Sequence, residues 1–308
     1  MHGVTRDARL MEHRRDRIHT SPISEREPSD SPLTWRSAGL ETMASMLVLS
    51  LRRLGPRGFE ARCQWPRSHP LNERGLVVVH HPLIMVESVR QIGVVLERRF
   101  LPNASVLLEP DSVRWGLVPG AQPREGGVAT AVRVRVAVSD VMLEGGRLVG
   151  YRVCADFLHE DLWFGSCTIR TVPREPGAAA GTGAHTGVLY PPAAAVGAAA
   201  EPDVMVARSS RGQLLIMPRD PDHPVFLTGR SPRLTAVAVL EAGRQAALLS
   251  CGLTATAVTG LSVDVRGAVP CAGASVDVIS DPSGRRFTVL AHGHGHVTAF
   301  GTVGLLRP

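Results

Sequence analysis

Two segments of this chain carry one pattern at one spacing, and that duplication restricts the fold more than any other feature. His69-Pro70 is followed 18 residues on by Glu87 in MVESVRQIGVVL, and His223-Pro224 is followed 18 residues on by Glu241 in LEAGRQAALLS. Both copies read H-P-x16-E-x-x-R-Q. One E-x-x-R-Q carries little information. Two, at the same distance from a His-Pro pair, point to a duplicated domain.

In each copy the Glu, Arg and Gln stand at i, i+3 and i+4, which is one face of a helix. The stripe continues through Val94 and Val95 in the first copy and Leu248 and Leu249 in the second. The charges interrupt an apolar run, so each helix is expected to be buried on most sides. A buried charge costs on the order of several kcal/mol unless it is paired. Two readings follow: an internal Glu–Arg brace, or an active-site helix. Taken alone, the segment leans to the brace, because structural ion pairs are commoner than catalytic ones.

A chain of 308 residues accommodates two domains of common size. Residues 1–33 are charged and rich in Ser, Pro and Arg, and read as a disordered extension; Met43 and Met46 offer alternative starts. Residues 34–173 form the first domain, with strands at MLVLSL and FEARCQW, a helix near Leu83–Arg99, and then a strand-rich stretch. There VRVRVAV alternates as a half-buried strand does, and LEGGRL supplies a Gly-Gly hairpin turn. Residues 174–202 are rich in Pro, Gly and Ala and read as a linker. Residues 203–308 repeat the order, with a helix near Arg233–Cys251. The fold class expected is α+β: a tandem, or double, hotdog, with two long central helices each wrapped by an antiparallel sheet, forming an internal pseudo-dimer.

Composition narrows the partners. All 34 basic residues are arginine, net charge is +6, and aromatics are 4% of residues. That balance favours acidic or phosphorylated partners, but few rings are available to stack on bases, so no nucleic-acid partner is expected. Five cysteines without a C-x-x-C suggest a reduced, cytoplasmic protein. The first residues contain no apolar signal-like core, and no run suits a membrane helix. HGHGH, His292–His296, raises a metal reading, but its glycines fit a hairpin turn better, and no metal site is expected. Neither a Gly-rich phosphate loop nor G-x-S-x-G is present.

With these motifs the chain resembles the A-factor biosynthesis (AfsA-type) family of tandem hotdog proteins. HHPLIMVESVRQ is similar to the family's H-D-P-L-L-I-A-E-x-x-R-Q, with His81 in place of the Asp, and AVAVLEAGRQ is similar to L-L-L-E-A-x-R-Q. The family's early V-H-R strand answers to Thr34-Trp35-Arg36. One departure is plain: where the family carries D-H-x-P-G-M, this chain has Pro232, Arg233, Leu234, Thr235, Ala236 and Val237. The resemblance implies an acyltransferase of γ-butyrolactone biosynthesis. Such an enzyme would move a β-ketoacyl group from acyl carrier protein to dihydroxyacetone phosphate, without a cofactor. Alternatives are another hotdog enzyme of acyl thioesters, a thioesterase or a dehydratase, or a non-catalytic acyl-binding member.

That chemistry needs a base, oxyanion donors and a cation for phosphate. Glu87 and Glu241 are the candidate bases, and Arg90 and Arg244 the candidate phosphate ligands. A base gains nothing from an adjacent Arg, which suggests that Glu87 of one half works with Arg244 of the other; the mirror cleft, Glu241 with Arg90, adjoins the altered loop and is expected to matter less. His69 and His223 are candidate proton relays or loop anchors, and Gln91 and Gln245 are expected to orient neighbours. For each of the four charged residues the alternative is a structural brace.

Overall fold

The computed structural model describes residues 33–67, 69, 71, 80–104, 106–118, 120–173, 187–227, 232–252, 258–281, 284–290 and 296–306. The first half contains β1 (Val48–Arg53), β2 (Gly58–Trp65), α1 (Leu83–Arg99), β3 (Leu108–Leu117), β4 (Thr130–Glu144), β5 (Arg147–His159) and β6 (Leu162–Pro173). The second contains β7 (Val206–Arg208), β8 (Leu214–Ile216), α2 (Ala236–Cys251), β9 (Val258–Val265), β10 (Ala274–Asp281), β11 (Gly284–Leu290) and β12 (Val297–Leu305).

Among the described residues the twelve strands join one antiparallel sheet, ordered β1-β2-β4-β5-β6-β3-β9-β12-β11-β10-β8-β7. Outward from the central β3–β9 pair, each side runs in the same sequence: the strand after the helix, the last strand, then its predecessors in turn. The topology is therefore duplicated, as the repeated motif requires. The halves meet through main-chain pairing from Ser112 opposite Asp264 to Gly116 opposite Gly260. α1 packs on β1, β2, β3, β5 and β6, and α2 on β7, β9, β10, β11 and β12. A double hotdog fits this arrangement.

Local chemistry explains the elements. Along β4 the valines at 132, 134, 136 and 138 are buried while Ala131, Arg135 and Ala137 face out, the period-two pattern of a strand with one wet face. Its hairpin turns at Gly145 and Gly146, with φ of 57° and 78°, a conformation that suits glycine. α1 begins where the His81 ring Nδ1 accepts the Leu83 amide at 3.1 Å. α2 begins at Ala236, later than the periodicity indicates, because the Thr235 hydroxyl accepts the Ala238 amide. Arg233 and Leu234 are instead held in an extended bridge to Pro270 and Val269. Gly252, at φ 65°, closes the helix.

One further expectation differs from the structure. Thr34-Trp35-Arg36, matched to a family strand, forms a turn: the Ser37 hydroxyl donates to the Thr34 carbonyl and the Ala38 amide returns to the same oxygen. In the stretch read as a linker, Ala193–Val196 forms a 3-10 turn with Val196 fully buried, and it packs on α2. The HGHGH segment lies mostly outside the described residues.

Gly243 shows how tightly α2 lies on its sheet. A Cβ there would sit 2.4 Å from the Phe287 ring, and one at Gly301 would meet the same ring at 2.4 Å. Phe287 thus fills the space between a helical glycine and a strand glycine. Gly243→Ala is expected to destabilise the protein by about 1–3 kcal/mol through overpacking. Adding Phe287→Leu should recover part of that loss in chemical unfolding; no recovery would place the strain elsewhere.

Candidate functional site

The two E-x-x-R-Q motifs form matching clusters. Arg90 donates to both carboxylate oxygens of Glu87 at 2.7 Å each, and Gln91 Nε2 donates to Glu87 Oε1 at 2.9 Å. In α2, Arg244 donates to both oxygens of Glu241 at 2.8 Å and Gln245 Nε2 to Oε1 at 2.7 Å. Each Gln then pins the chain that leads into the first strand of its half. Gln91 donates to the Ser45 carbonyl and accepts from the Leu47 amide; Gln245 donates to the Asp203 carbonyl and accepts from the Met205 amide. Arg244 also donates to the Gly197 carbonyl at 2.7 Å.

Each Glu therefore meets the Arg of its own helix. The pairing of Glu87 with Arg244 across the halves is not what these side chains make. Arg244 is 2% exposed and directs its fork to Glu241, and Arg90, at 24%, directs its fork to Glu87.

Three histidines, His69, His81 and His223, make one local contact in common. In each, ring Nδ1 accepts an amide two residues on: Leu71 to His69, Leu83 to His81 and Val225 to His223. With Nδ1 an acceptor, the ring proton is assigned to Nε2. His223 Nε2 donates to Asp203 at 3.0 Å. At the corresponding place in the first half stands Ser45, whose hydroxyl is buried without a hydrogen bond among the described residues.

His81 crosses between the halves. Its Nε2 lies 3.8 Å from Glu241 Oε2, with both side chains almost wholly buried. Beside them is a void of about 10 Å³ lined by Leu71, His81, Ala198, Asp203, Phe226 and Glu241. Burial, and next the nearby Arg244, hold the His81 pKa well below its ordinary value, so the ring is neutral at neutral pH. The residue six positions before Glu241, where the first half has His81 before Glu87, is Thr235. The second half thus has no imidazole at that point.

Burial also lowers His69 to about 4, partly offset by Glu87, and lowers His80 to about 4. The sign follows from linkage. Between about pH 6.5 and 4 the unfolded chain binds protons that the folded chain excludes, so stability is full above 6.5 and falls as pH drops through that window. Melting temperature is expected to decline steadily from pH 7 to pH 4, and His69→Gln should flatten the slope. An unchanged slope in that variant would assign the decline to other groups.

A second feature is a cavity of about 550 Å³ where β3, β6, the chain after β9 and the start of α2 converge. Arg170, Arg233 and Arg266 line it, with Glu109 and Asp111. The altered loop at Pro232–Val237 forms one wall through Arg233–Ala236. Neither His81 as a cross-half partner nor these three arginines was singled out as functional from the sequence. His81 stood in the motif only as a substitution for Asp; the arginines lie on three separate segments and share no local spacing. Among the described residues no cluster of His, Cys, Asp and Glu is arranged for a metal, and no helix is long and apolar enough to cross a membrane.

No family model matches the chain, and no curated protein matches it. Among solved structures it is similar to the dehydratase domain from the terminal module of the rifamycin polyketide synthase, with 20% identity, TM-score 0.47, and coverage of 89% of this chain and 100% of that one. It is similar also to a protein of Novosphingobium aromaticivorans ascribed a thioesterase activity, with 13% identity, TM-score 0.47, and coverage of 84% and 98%. HtdX of Mycobacterium tuberculosis is a third, with 14% identity, TM-score 0.45, and coverage of 80% and 100%. Similarity at this level says nothing of substrate.

Proposed function

We propose that the chain is an enzyme of acyl thioesters and that its working centre is the gap between His81 and Glu241. The observation that supports this is their separation. At 3.8 Å the two are too far apart for a direct hydrogen bond, yet one oxygen atom in the adjoining void can bond to both. That oxygen accepts from His81 Nε2–H and donates its own hydrogen to Glu241 Oε2, which is the bonding pattern of a hydroxyl. A void of about 10 Å³ has room for about one such atom.

A hydroxyl held so is placed to react with a thioester. As its oxygen bonds to the acyl carbon, its proton passes to Glu241; the carbon–sulfur bond then breaks and the leaving thiolate takes a proton. If the hydroxyl belongs to an alcohol, the reaction is acyl transfer; if it is water, hydrolysis. Dehydration of a β-hydroxyacyl chain is a different step: the α-proton and the β-hydroxyl leave as water, the carbon–oxygen bond breaks, and the thioester stays intact. The finer reading, taken from the motif resemblance, is transfer of a β-ketoacyl group from acyl carrier protein to dihydroxyacetone phosphate. In this reading Glu241 and His81 act on the hydroxyl, Arg244 and Gln245 position Glu241, and Glu87, Arg90 and Gln91 form the structural counterpart. His69 and His223 anchor the turns that deliver the surrounding chain.

The test is incubation with β-ketoacyl- and β-hydroxyacyl-pantetheine, with and without dihydroxyacetone phosphate, followed by mass spectrometry. An acyl ester of the acceptor is the expected product; free acid or enoyl thioester would instead select the thioesterase or the dehydratase. Intact thioesters in all mixtures with folded protein would end the reading.

A further inference from the structure

The 550 Å³ cavity has its own chemistry, separate from the His81–Glu241 gap. Its volume falls in the range of small-molecule sites, on the order of 300–1,000 Å³. Three arginines and two acidic residues line it. Arg170 is fully matched: its Nε and Nη2 donate to the two oxygens of Asp111 at 2.9 and 2.5 Å. Arg233 lies 3.7 Å from Glu109, an ion pair too long for a hydrogen bond. Arg266 has no carboxylate partner among the described residues; its guanidinium lies 4.7 Å over the Phe300 ring. One positive charge is therefore unmatched at the cavity.

The start of α2 adds to that field. Thr235 and Ala236 line the cavity. The Thr235 hydroxyl satisfies the Ala238 amide, while the amides of Ala236 and Val237, at the first helical positions, have no hydrogen-bond partner among the described residues. Such a helix end carries about half a positive charge. Arginine forks and helix amides share one preferred partner, an oxyanion with several acceptor oxygens. The remaining wall is apolar, through Val172, Leu234, Val265, Ala268 and Val269.

We infer that this cavity, at the junction of the two halves, binds the phosphate of a phosphorylated small molecule, with Arg266 and Arg233 as its cations and the start of α2 as its amide cradle. Arg170 supports the site by holding Asp111, so that this carboxylate does not oppose the ligand. Two sources offer the same chemistry: a small phosphomonoester, or the phosphate of a pantetheine arm.

Isothermal titration separates them and requires no turnover, so its outcome is distinct from that of the proposed activity. The probes are dihydroxyacetone phosphate, dihydroxyacetone, 4′-phosphopantetheine and pantetheine. At least one phosphorylated probe is expected to bind tenfold or more tightly than its unphosphorylated counterpart, and that probe identifies the source. Arg266→Gln, at an exposed position, should weaken binding tenfold or more with melting temperature unchanged. Arg233→Gln should do the same where it remains folded. The inference is overturned if phosphorylated and unphosphorylated probes bind alike, or if folded Arg266→Gln binds as the wild type does.

Discussion

Glu241→Gln is expected to destabilise the protein by about 3–5 kcal/mol, the loss typical when one partner of a buried ion pair is removed. The magnitude comes from what is left behind. Arg244 is 2% exposed, and both arms of its fork rest on Glu241. A neutral amide at 241 accepts one of those hydrogen bonds and leaves a guanidinium in a dry setting, where the Gly197 carbonyl also accepts from it. Gln245 loses its carboxylate as well, and with it part of the grip on Asp203 and Met205. Glu87→Gln breaks the same set of bonds in the first half, but Arg90 is 24% exposed and can turn to water. Its loss should be about half as large or less. Chemical unfolding of the two variants side by side measures the difference, and equal losses would show that burial of the cation does not set the scale.

His81→Asn should lower turnover by about 10²-fold or more while leaving melting temperature nearly unchanged. An Asn oxygen can still accept the Leu83 amide that starts α1, so the local turn has a replacement for Nδ1. It has no group at the position of Nε2, which lies 3.8 Å from Glu241. The hydroxyl that both would hold loses its donor and its alignment. A neutral imidazole is suited to this task because it donates without bringing a second cation beside Arg244, and burial keeps the ring in that form. The activity of wild type should therefore show no loss from His81 protonation near neutral pH, and a pH profile tests this directly.

Much of the frame could be read from the residues. The repeated spacing of His-Pro and E-x-x-R-Q reports duplication because it records two copies of one unit, and the strand order on either side of β3 and β9 repeats in the same way. Leu83–Arg99 is helical as its periodicity indicates, and VRVRVAV is a half-buried strand. The start of α2 was harder to read. Thr235 is a cap by residue type, but the apolar run continues upstream through Leu234, and only the pairing of Leu234 with Val269 removes it from the helix.

Site geometry was less legible for a physical reason. Helical spacing fixes which residues share a face, so the contact of Glu241 with Arg244 and Gln245 follows from sequence. It does not fix which group approaches from the other half. His81 reaches Glu241 across 160 positions of chain, and the arginines of the large cavity come from β6, the chain before α2 and the chain after β9. Arg244, a candidate phosphate ligand by its bidentate fork, directs that fork to Glu241. The loop at Pro232–Val237, which departs from the family pattern, forms a wall of the large cavity.

The most direct measurement of the central claim is consumption of a β-ketoacyl-pantetheine thioester, in the presence of dihydroxyacetone phosphate, by wild type, His81→Asn and Glu87→Gln in parallel, each first shown to be folded. The account predicts turnover by wild type, a fall of about 10²-fold or more in His81→Asn, and a change within about tenfold in Glu87→Gln. Full activity in His81→Asn together with a dead but folded Glu87→Gln would contradict it and move the working centre to the first helix.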